Sequence, residues 1–280
     1  MTDSIPDGRI AGVEELLKQI QAMNLFNDIF TSVVFRDEGA CLHLVRQLMQ
    51  NPTLNIIAFR TQDDIPMLIS KSPRLDITAE DDKGTIYEIE IQRLEEPAPA
   101  RRVRYYASVM DSELLRKGAT YDKLPEVYLF YISEDDIWHG GQTVYEVQQV
   151  LNCGRRIIPY DNGLHTIYVN AEIDDGSNIA KLMQYLKTAK AGDTSQGGLS
   201  EYVNYIKSPE GGRQVMGEFE RYFTEKGREQ GMKQGMKQGR KEEKLENIKA
   251  LMESLKVSAQ EAMGLLKITP EEQQKLLPLL

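Results

Sequence analysis

The sequence has few of the features that mark secreted or membrane-bound proteins. Its 280 residues include only two cysteines, Cys41 and Cys153, which lie far apart and form no CxxC motif. This excludes a disulfide framework and a zinc cage of paired cysteines, and it favours two buried, reduced thiols. Residues 1–6 lack the basic region and apolar core of a signal peptide, and the longest apolar runs, such as 127–132, are too short to span a membrane. We therefore expect a cytoplasmic protein without a membrane partner.

Positive charge and histidine are also scarce. The chain has 34 lysines and arginines against 43 aspartates and glutamates, which gives a net charge of −9. A chain of this charge does not coat nucleic acid through bulk electrostatics. An enzyme that holds DNA at one place is still compatible, because carboxylates that bind a metal also make a chain acidic. The three histidines, His43, His139 and His165, show no metal-ligand spacing, and we interpret them as structural or surface residues.

The pattern of apolar residues predicts an α/β domain up to about residue 192. Apolar residues at helical spacing are followed by short runs that are typical of strands. A long helical segment separates the third and fourth strands, so those two are predicted to be parallel neighbours in a mixed sheet. In chain order, the predicted elements are helices at 13–23 and 42–49, strands at 54–59, 74–80 and 85–92, a helix at 101–117, a strand at 126–132, and a turn and strand at 160–171.

A change of character after about residue 192 predicts a helical C-terminal extension. Glycine recurs at every fourth residue of one segment, which places the glycines on one stripe of a helix and weakens it by up to about 1 kcal/mol each relative to alanine. Residues 245–255 continue with an apolar stripe, and capping-box signals follow at 258–261 and 269–272. The periodic glycines are Gly227, Gly231, Gly235 and Gly239.

The segment 75–92 holds the arrangement of residues that points to chemistry. Its residues 82–84, Asp-Lys-Gly, fit a three-residue hairpin loop in which the glycine takes the left-handed conformation. Such a loop fixes the register of the two strands, and the alternation of side chains then gives one apolar face and one polar face. On the polar face Asp76 is opposite Glu90, Thr78 is opposite Glu88, and Gln92 follows Glu90.

Opposed carboxylates destabilise a sheet unless a cation joins them. Directly opposed side chains have Cβ atoms about 4.5–5.5 Å apart, and like charges at that distance repel. Two carboxylate oxygens, a backbone carbonyl and waters form a typical Mg²⁺ shell. Asp76 opposite Glu90, with Glu88 on the diagonal, therefore indicates a Mg²⁺ site. The alternative is a solvated outer face on which the acids keep an exposed sheet soluble, and the spacing alone leaves both interpretations open.

The residues of the hairpin belong to a longer ordered set that extends over most of the chain. The set comprises Asn27, Asp28, Ile29, Phe30 and Phe35 upstream, Asp76, Glu90, Ile91 and Gln92 in the hairpin, Arg102, Arg104, Tyr105, Tyr106, Leu115, Gly118 and Tyr121 after it, then residues 160–163 and 167–170 and the glycine-rich tail. This set resembles the Rpn family of recombination-promoting nucleases, which are also described as transposases of the PD-(D/E)XK superfamily. The resemblance implies a restriction-endonuclease-like α/β core, with a mixed sheet flanked by helices, and a helical C-terminal extension.

The same resemblance implies a metal-dependent DNA endonuclease that promotes recombination. Asp76 and Glu90 would hold Mg²⁺ or Mn²⁺, with the carbonyl of Ile91 as a further ligand, and the metal would activate a water molecule and stabilise charge on the phosphate. Gln92 stands where many members of the superfamily have lysine, and a neutral amide can orient the attacking water but supplies no positive charge. Asp28 matches an acidic position of the family that supports the site.

The predicted helix after the hairpin begins with arginines and tyrosines. Arg102 and Arg104 are candidates for binding the DNA phosphates, with Tyr105 packing or stacking beside them. The alternative is that the arginines balance the acidic hairpin and that Tyr105 and Tyr106 belong to the core. We predict phosphate binding by Arg102 and core packing of at least one tyrosine.

The predicted domains are a nuclease-like domain at 1–195, a helical region with the glycine-rich linker helix at 196–256, and a two-helix hairpin at 257–280. The glycine stripe suits the close approach of a partner backbone, so we expect a homo-oligomer through the C-terminal region. Two other functions stay open: a nuclease fold that has lost cleavage and binds DNA or a protein partner, and an assembly protein in which the tail is the functional part.

Overall fold

A computed structural model describes residues 7–61, 77–93, 99–115 and 118–280. The chain divides into two compact units, Met1–Phe219 and Glu220–Leu280. The first unit holds the sheet and the hairpin, and the second is helical. The predicted end of the nuclease-like domain at residue 195 stays a prediction. The compact first unit extends beyond that residue, to Phe219.

Three helices form the N-terminal part of the first unit: α1 (Asp7–Ala22), α2 (Asp28–Val34) and α3 (Glu38–Leu48). The side chains of Asn27 and Asp37 accept hydrogen bonds from the backbone of the first turns of α2 and α3, which fixes where these helices begin. In α3, five residues are buried, among them Cys41. The prediction of two buried thiols is wrong for Cys153, which is exposed.

A mixed sheet of six strands forms the centre of the first unit, as the sequence predicts. Its strands are β1 (Ile56–Thr61), β2 (Ile77–Asp81), β3 (Ile86–Gln92), β4 (Val127–Ser133), β5 (Val144–Glu146) and β8 (Leu164–Asn170), in the spatial order β1-β2-β3-β4-β8-β5. The predicted parallel pairing of β3 with β4 is confirmed, and β8 is parallel to β4 as well. The crossover between β3 and β4 contains α4 (Pro99–Leu114) and a single 3₁₀ turn, Tyr121–Lys123.

Five elements in the described part of the first unit were not predicted, and α2 is one of them. Strand β5 closes one edge of the sheet, and β6 (Val150–Cys153) pairs with β7 (Arg156–Pro159) to form a separate two-stranded ribbon. Helix α5 (Asn178–Thr188) was not predicted either, whereas α6 (Gly197–Lys207) falls within the helical region predicted at 196–256. Lys207 ties α6 to the rest, because its Nζ donates hydrogen bonds to the carbonyls of Gln21, Met23 and Ala189.

The C-terminal part contains α7 (Pro209–Leu255), α8 (Ala259–Leu265) and α9 (Pro270–Leu276), followed by a 3₁₀ turn, Leu277–Leu279. The predicted capping box at Ser258 is confirmed. The second one is wrong: Thr269 makes no side-chain cap, although Pro270 does occupy the first helical position. No helix in the described ranges combines the length and apolarity that a membrane crossing requires.

The second unit has its own small core. Residues of α7 pack there against α8 and α9, and Ile248 is fully buried. The apolar stripe predicted at 245–255 is therefore largely covered by the chain itself. The buried residues of this core are Ile248, Ala262, Met263, Ile268 and Leu276.

Candidate active site

The hairpin of β2 and β3, which we call the acidic hairpin (residues 77–92), has the predicted register. Thr78 pairs with Glu88, and Ile77 pairs with Ile89. Leu75 and Asp76 lie outside the described residues, so the opposition of Asp76 and Glu90 stays a prediction.

The hairpin loop is fixed by Asp81. One carboxylate oxygen, Oδ1, accepts hydrogen bonds from the backbone N–H of Lys83 at 2.9 Å and of Thr85 at 2.8 Å, and the other accepts one from the hydroxyl of Tyr87 at 3.0 Å. Gly84 has φ of +82°, the left-handed conformation that the loop requires of its last residue. These local bonds explain why the register could be read from the sequence.

Helix α4 covers the acidic face of the hairpin. Ile86, at the start of β3, packs in one cluster with Val103 and Tyr106 of α4. Further along the same face, Glu88 is 3% exposed and Glu90 is 1% exposed. The alternative of a solvated outer face is therefore wrong. Burying two carboxylates costs free energy unless cations or hydrogen bonds compensate them.

Glu90 is held by three side chains. Its Oε1 accepts a hydrogen bond from Arg102 Nη2 at 2.6 Å, one from Gln92 Nε2 at 2.5 Å and a longer one from the Tyr106 hydroxyl at 3.4 Å. Arg102 also donates from Nε to the Tyr106 oxygen at 2.6 Å. Burial, with the neighbouring Glu90 carboxylate, raises the pKa of Tyr106 to about 12, so the phenol keeps its proton and donates. In this state Arg102 balances the acidic hairpin, as the second interpretation predicts.

Glu88 has a different environment from Glu90. Its Oε2 accepts a hydrogen bond from the Thr78 hydroxyl at 2.8 Å. Burial raises the pKa of Glu88 to about 8; Glu113 and Glu90 raise it further, and the Thr78 bond and Arg60 oppose them. The two buried carboxylates of the hairpin therefore differ. Glu90 is paired with a cation, whereas no described cation lies within hydrogen-bond distance of Glu88.

The remaining predicted residues divide between the site and its surroundings. Ile91 follows Glu90 in β3 and its side chain is buried, which leaves its main chain as the group beside the site. Asp28 is the exposed first residue of α2, and its supporting role stays a prediction. Arg104 is exposed and lines a cavity of about 430 Å³ between α4 and β8, on a different side of α4 from Arg102.

The two tyrosines of α4 have different roles. Tyr106 is 5% exposed and belongs to the core cluster, which confirms the prediction that at least one tyrosine packs there. Tyr105 is 39% exposed, with its ring centroid 6.3 Å from that of Tyr106. Sequence reasoning missed Tyr106 as a direct neighbour of Glu90. The spacing of four residues between Arg102 and Tyr106 is the signal that could have found it, because it places both on one face of a helix.

A second group of possible metal ligands lies at the other end of the strands. Glu126, Asp161 and His165 bring one ligand atom each to within 4.8 Å of one another. His165 Nε2 is 2.7 Å from Glu126 Oε2, and its ring stacks on Tyr128 at 4.4 Å between centroids. No sequence spacing predicts this group, because Glu126 and His165 are 39 residues apart and meet through the pairing of β4 with β8.

The donor set of the acidic hairpin fits a divalent metal. Mg²⁺ and Mn²⁺ prefer carboxylate and carbonyl oxygens, and β3 offers both in consecutive residues, Glu90 and Ile91. Among the described residues, Arg102 is the one positively charged side chain in contact with Glu90. The Arg102 side chain is 26% exposed, so it can move away more easily than the buried Glu90 can.

Comparison with known proteins agrees with this architecture. Residues 58–196 match the model of a family described as "PD-(D/E)XK nuclease family transposase". The matched segment begins in β1 and ends just before α6, so it contains the acidic hairpin, α4 and the central strands. No curated protein and no solved structure matches the chain. The predicted resemblance to a PD-(D/E)XK transposase family and the predicted α/β fold are confirmed.

Proposed function

We propose a DNA-cutting function for this chain, which belongs to the PD-(D/E)XK nuclease family of transposases. The reaction is the hydrolysis of phosphodiester bonds within DNA by an endonuclease that uses Mg²⁺ or Mn²⁺ and promotes recombination. The observation that carries the proposal is the burial of Glu88 and Glu90 on the acidic face of β3, at 3% and 1% exposure. Two buried acids do not serve stability alone, because uncharged side chains at the same positions would avoid the free-energy cost of desolvating a carboxylate.

The metal ligands in this proposal are Asp76, Glu90 and the carbonyl of Ile91. When bound, the metal lowers the pKa of a water molecule and stabilises charge on the phosphate. Glu90 is presented by a central strand, with β2 on one side and β4 on the other, so its position is fixed before any ligand arrives. This preorganisation favours catalysis because the site needs little rearrangement.

Arg102 has two roles in the proposal. In the free protein its guanidinium pairs with Glu90 and limits the cost of the buried charge. Where Glu90 held a divalent metal, Arg102 would no longer be needed to balance that carboxylate and would be placed to bind a DNA phosphate from the start of α4. The partial exposure of Arg102 supports this exchange.

Gln92 orients groups at the site without adding charge. Its Nε2 donates to Glu90, and its Oε1 lies 3.5 Å from Arg102 Nη1. The amide can therefore hold the carboxylate in position and accept a hydrogen bond from a water or an arginine. Replacement by lysine keeps a donor beside Glu90 and adds a positive charge, so we expect Gln92→Lys to preserve or raise cleavage.

The alternative function is a nuclease fold that has lost cleavage and binds DNA or a protein partner. Two observations favour it: Arg102 already pairs with Glu90 at 2.6 Å, and Gln92 supplies no charge to the site. In that case the ion pair is permanent, and added metal leaves it in place.

The experiment compares supercoiled plasmid incubated with the full chain and Mg²⁺, with Mn²⁺ and with EDTA. Glu90→Ala tests the site, and Glu146→Ala is the matched control, because it removes an exposed glutamate from β5. We expect metal-dependent cleavage by the parent and by Glu146→Ala, and none by Glu90→Ala. Calorimetry with Mn²⁺ and each variant separates the two functions: metal binding without cleavage, or no binding at all, supports the degenerate nuclease.

We also propose that the C-terminal region joins two copies of the chain. One metal site cuts one strand per encounter, so a double-strand break requires two sites. Gly227, Gly231, Gly235 and Gly239 of α7 are exposed, and a Cβ added at any of these four would meet no atom within 4 Å, which leaves this stripe open to a partner helix. Light scattering on the full chain and on a chain that ends after Gly217 tests the proposal, which a monomeric full chain at working concentration would contradict.

A further inference from the structure

The ribbon of β6 and β7 (residues 150–159) is built unlike any other part of the first unit. Among the described residues its two strands pair only with each other, and all eight of their residues are exposed. Val150, Leu151 and Ile157 are 49%, 48% and 72% exposed. A two-stranded hairpin is at best marginally stable in water, and this one exposes large apolar side chains on both of its faces, so a partner that covers them would stabilise it.

The backbone hydrogen bonds that anchor the ribbon in the described part of the chain lie at its base. The N–H of Tyr160 donates to the carbonyl of Gln149 at 2.9 Å, and the N–H of Val147 donates to Thr166 of β8 at 3.0 Å. At the tip, Gly154 has φ of +73°, which permits the tight turn into Arg155. The ribbon therefore projects beyond the end of the central sheet and presents its turn to solvent.

The charge of the ribbon opposes that of the chain. The chain carries a net charge of −9, yet residues 147–160 contain no aspartate or glutamate and two arginines, Arg155 and Arg156. Both arginines are exposed, and neither forms an ion pair with an acidic residue that the structure describes. The local positive charge of residues 147–160 is therefore complementary to the negative charge of a polyanion.

We propose that the ribbon is a docking element for duplex DNA. A two-stranded β-ribbon fits the major groove, which is about 12 Å wide. Arg155 and Arg156 at the tip bind phosphates or base edges, and the apolar side chains contact sugars and thymine methyl groups. The choice of DNA as the partner rests on the proposed function, whereas the docking role of the ribbon rests on its own exposure and charge.

The test measures binding of the full chain to a short fluorescent duplex in EDTA, where no metal-dependent cleavage takes place. Arg155→Ala/Arg156→Ala is the test variant. Lys181→Ala/Lys190→Ala is the matched control, since it removes two exposed cations from the region of α5. We expect the ribbon variant to bind at least tenfold more weakly and to lose about two units of the slope of log Kd against log salt. The control should bind like the parent.

Cys153 provides a second measurement within the ribbon. It is exposed and pairs with Arg156, whereas Cys41 is buried in α3. In the parent chain, bound duplex should protect Cys153 from a thiol reagent. At the same duplex concentration, Cys153 should be less protected in Arg155→Ala/Arg156→Ala. Circular dichroism confirms that each variant is folded.

The outcomes separate this proposal from its alternatives. Unchanged DNA affinity and unprotected Cys153 would overturn the docking role. If Leu151→Ser/Ile157→Ser converts a dimer to a monomer and leaves DNA affinity unchanged, the ribbon is an interface between copies and the proposal is wrong. If the parent binds DNA through the ribbon but never cleaves it, the docking role holds while the proposed nuclease activity fails.

Discussion

Two hairpins of the first unit reverse the usual distribution of side chains. The acidic hairpin keeps Glu88 and Glu90 almost completely buried, and the ribbon leaves Leu151 and Ile157 about half exposed or more. Each arrangement costs free energy, the first through desolvation of charge and the second through hydration of apolar surface. In the two proposals a ligand compensates each cost: a cation at the acidic hairpin and a partner surface at the ribbon.

The difference between the hairpins comes from what covers them. The acidic hairpin lies in the middle of the sheet, and α4 packs on its polar face. The ribbon is attached beyond β5, at the edge, and pairs only with itself. In these two hairpins, the position in the sheet and the neighbouring helix decide whether a side chain is buried, more than the polarity of the side chain does.

Removing Glu90 should give the largest effect. We expect Glu90→Ala to lower plasmid cleavage by at least about a thousandfold, or about 4 kcal/mol, because a metal ligand is lost. Glu146→Ala, which removes an exposed glutamate from β5, should leave the rate unchanged. Single-turnover rates measure both, and cleavage that survives in Glu90→Ala would move the active site elsewhere.

Thiol reactivity should sharpen the comparison between buried and exposed groups. Burial, with Asp37 and Glu38 adding to it, raises the pKa of Cys41 to about 12, and its sulfur donates a hydrogen bond to the carbonyl of Phe35. We expect Cys153 to react with a chromogenic disulfide while Cys41 reacts on the order of a thousandfold more slowly, because few Cys41 thiolates exist. One thiol per native chain and two per unfolded chain is the expected titration; two fast native thiols would contradict it.

The ion pair of the acidic hairpin should respond strongly to single substitutions. We expect Arg102→Met to lower the free energy of unfolding of the metal-free protein by about 2 kcal/mol, since the Glu90 carboxylate loses its cation. Adding Glu90→Gln should recover most of that loss. Arg156→Met in the ribbon should change stability by less than about 0.5 kcal/mol. Urea unfolding in EDTA measures all three, and equal effects of the two arginine substitutions would contradict this account.

The last effect concerns Glu88 and depends on pH. The pKa of Glu88 is about 8 in the folded chain against 4.5 ordinarily, so the folded state binds the extra proton. The resulting stability is present below pH 4.5 and is lost as the pH rises toward 8. Glu88→Gln should therefore stabilise the metal-free protein by an amount that grows as the pH rises through that range, and hardly at all at its lower end. A pH-independent difference in urea unfolding would show that burial does not control this carboxyl.

The sequence by itself determined the local and periodic features of this protein. The loop residues of the acidic hairpin carry their own hydrogen bonds, so its register follows from turn chemistry and the two-residue alternation of a strand. The parallel pairing of β3 with β4 follows from the length of the connection between them. The capping box at Ser258 is a contact within a few residues and was readable for the same reason.

Only the tertiary structure decided which surfaces are covered. The placement of α4 on the acidic face buries Glu88 and Glu90 and brings Tyr106 to the site, and the β4–β8 pairing brings Glu126 to His165. The isolation of the ribbon at the sheet edge leaves its apolar residues in solvent. These outcomes depend on contacts between residues far apart in the chain, and local patterns do not encode which distant element will supply them.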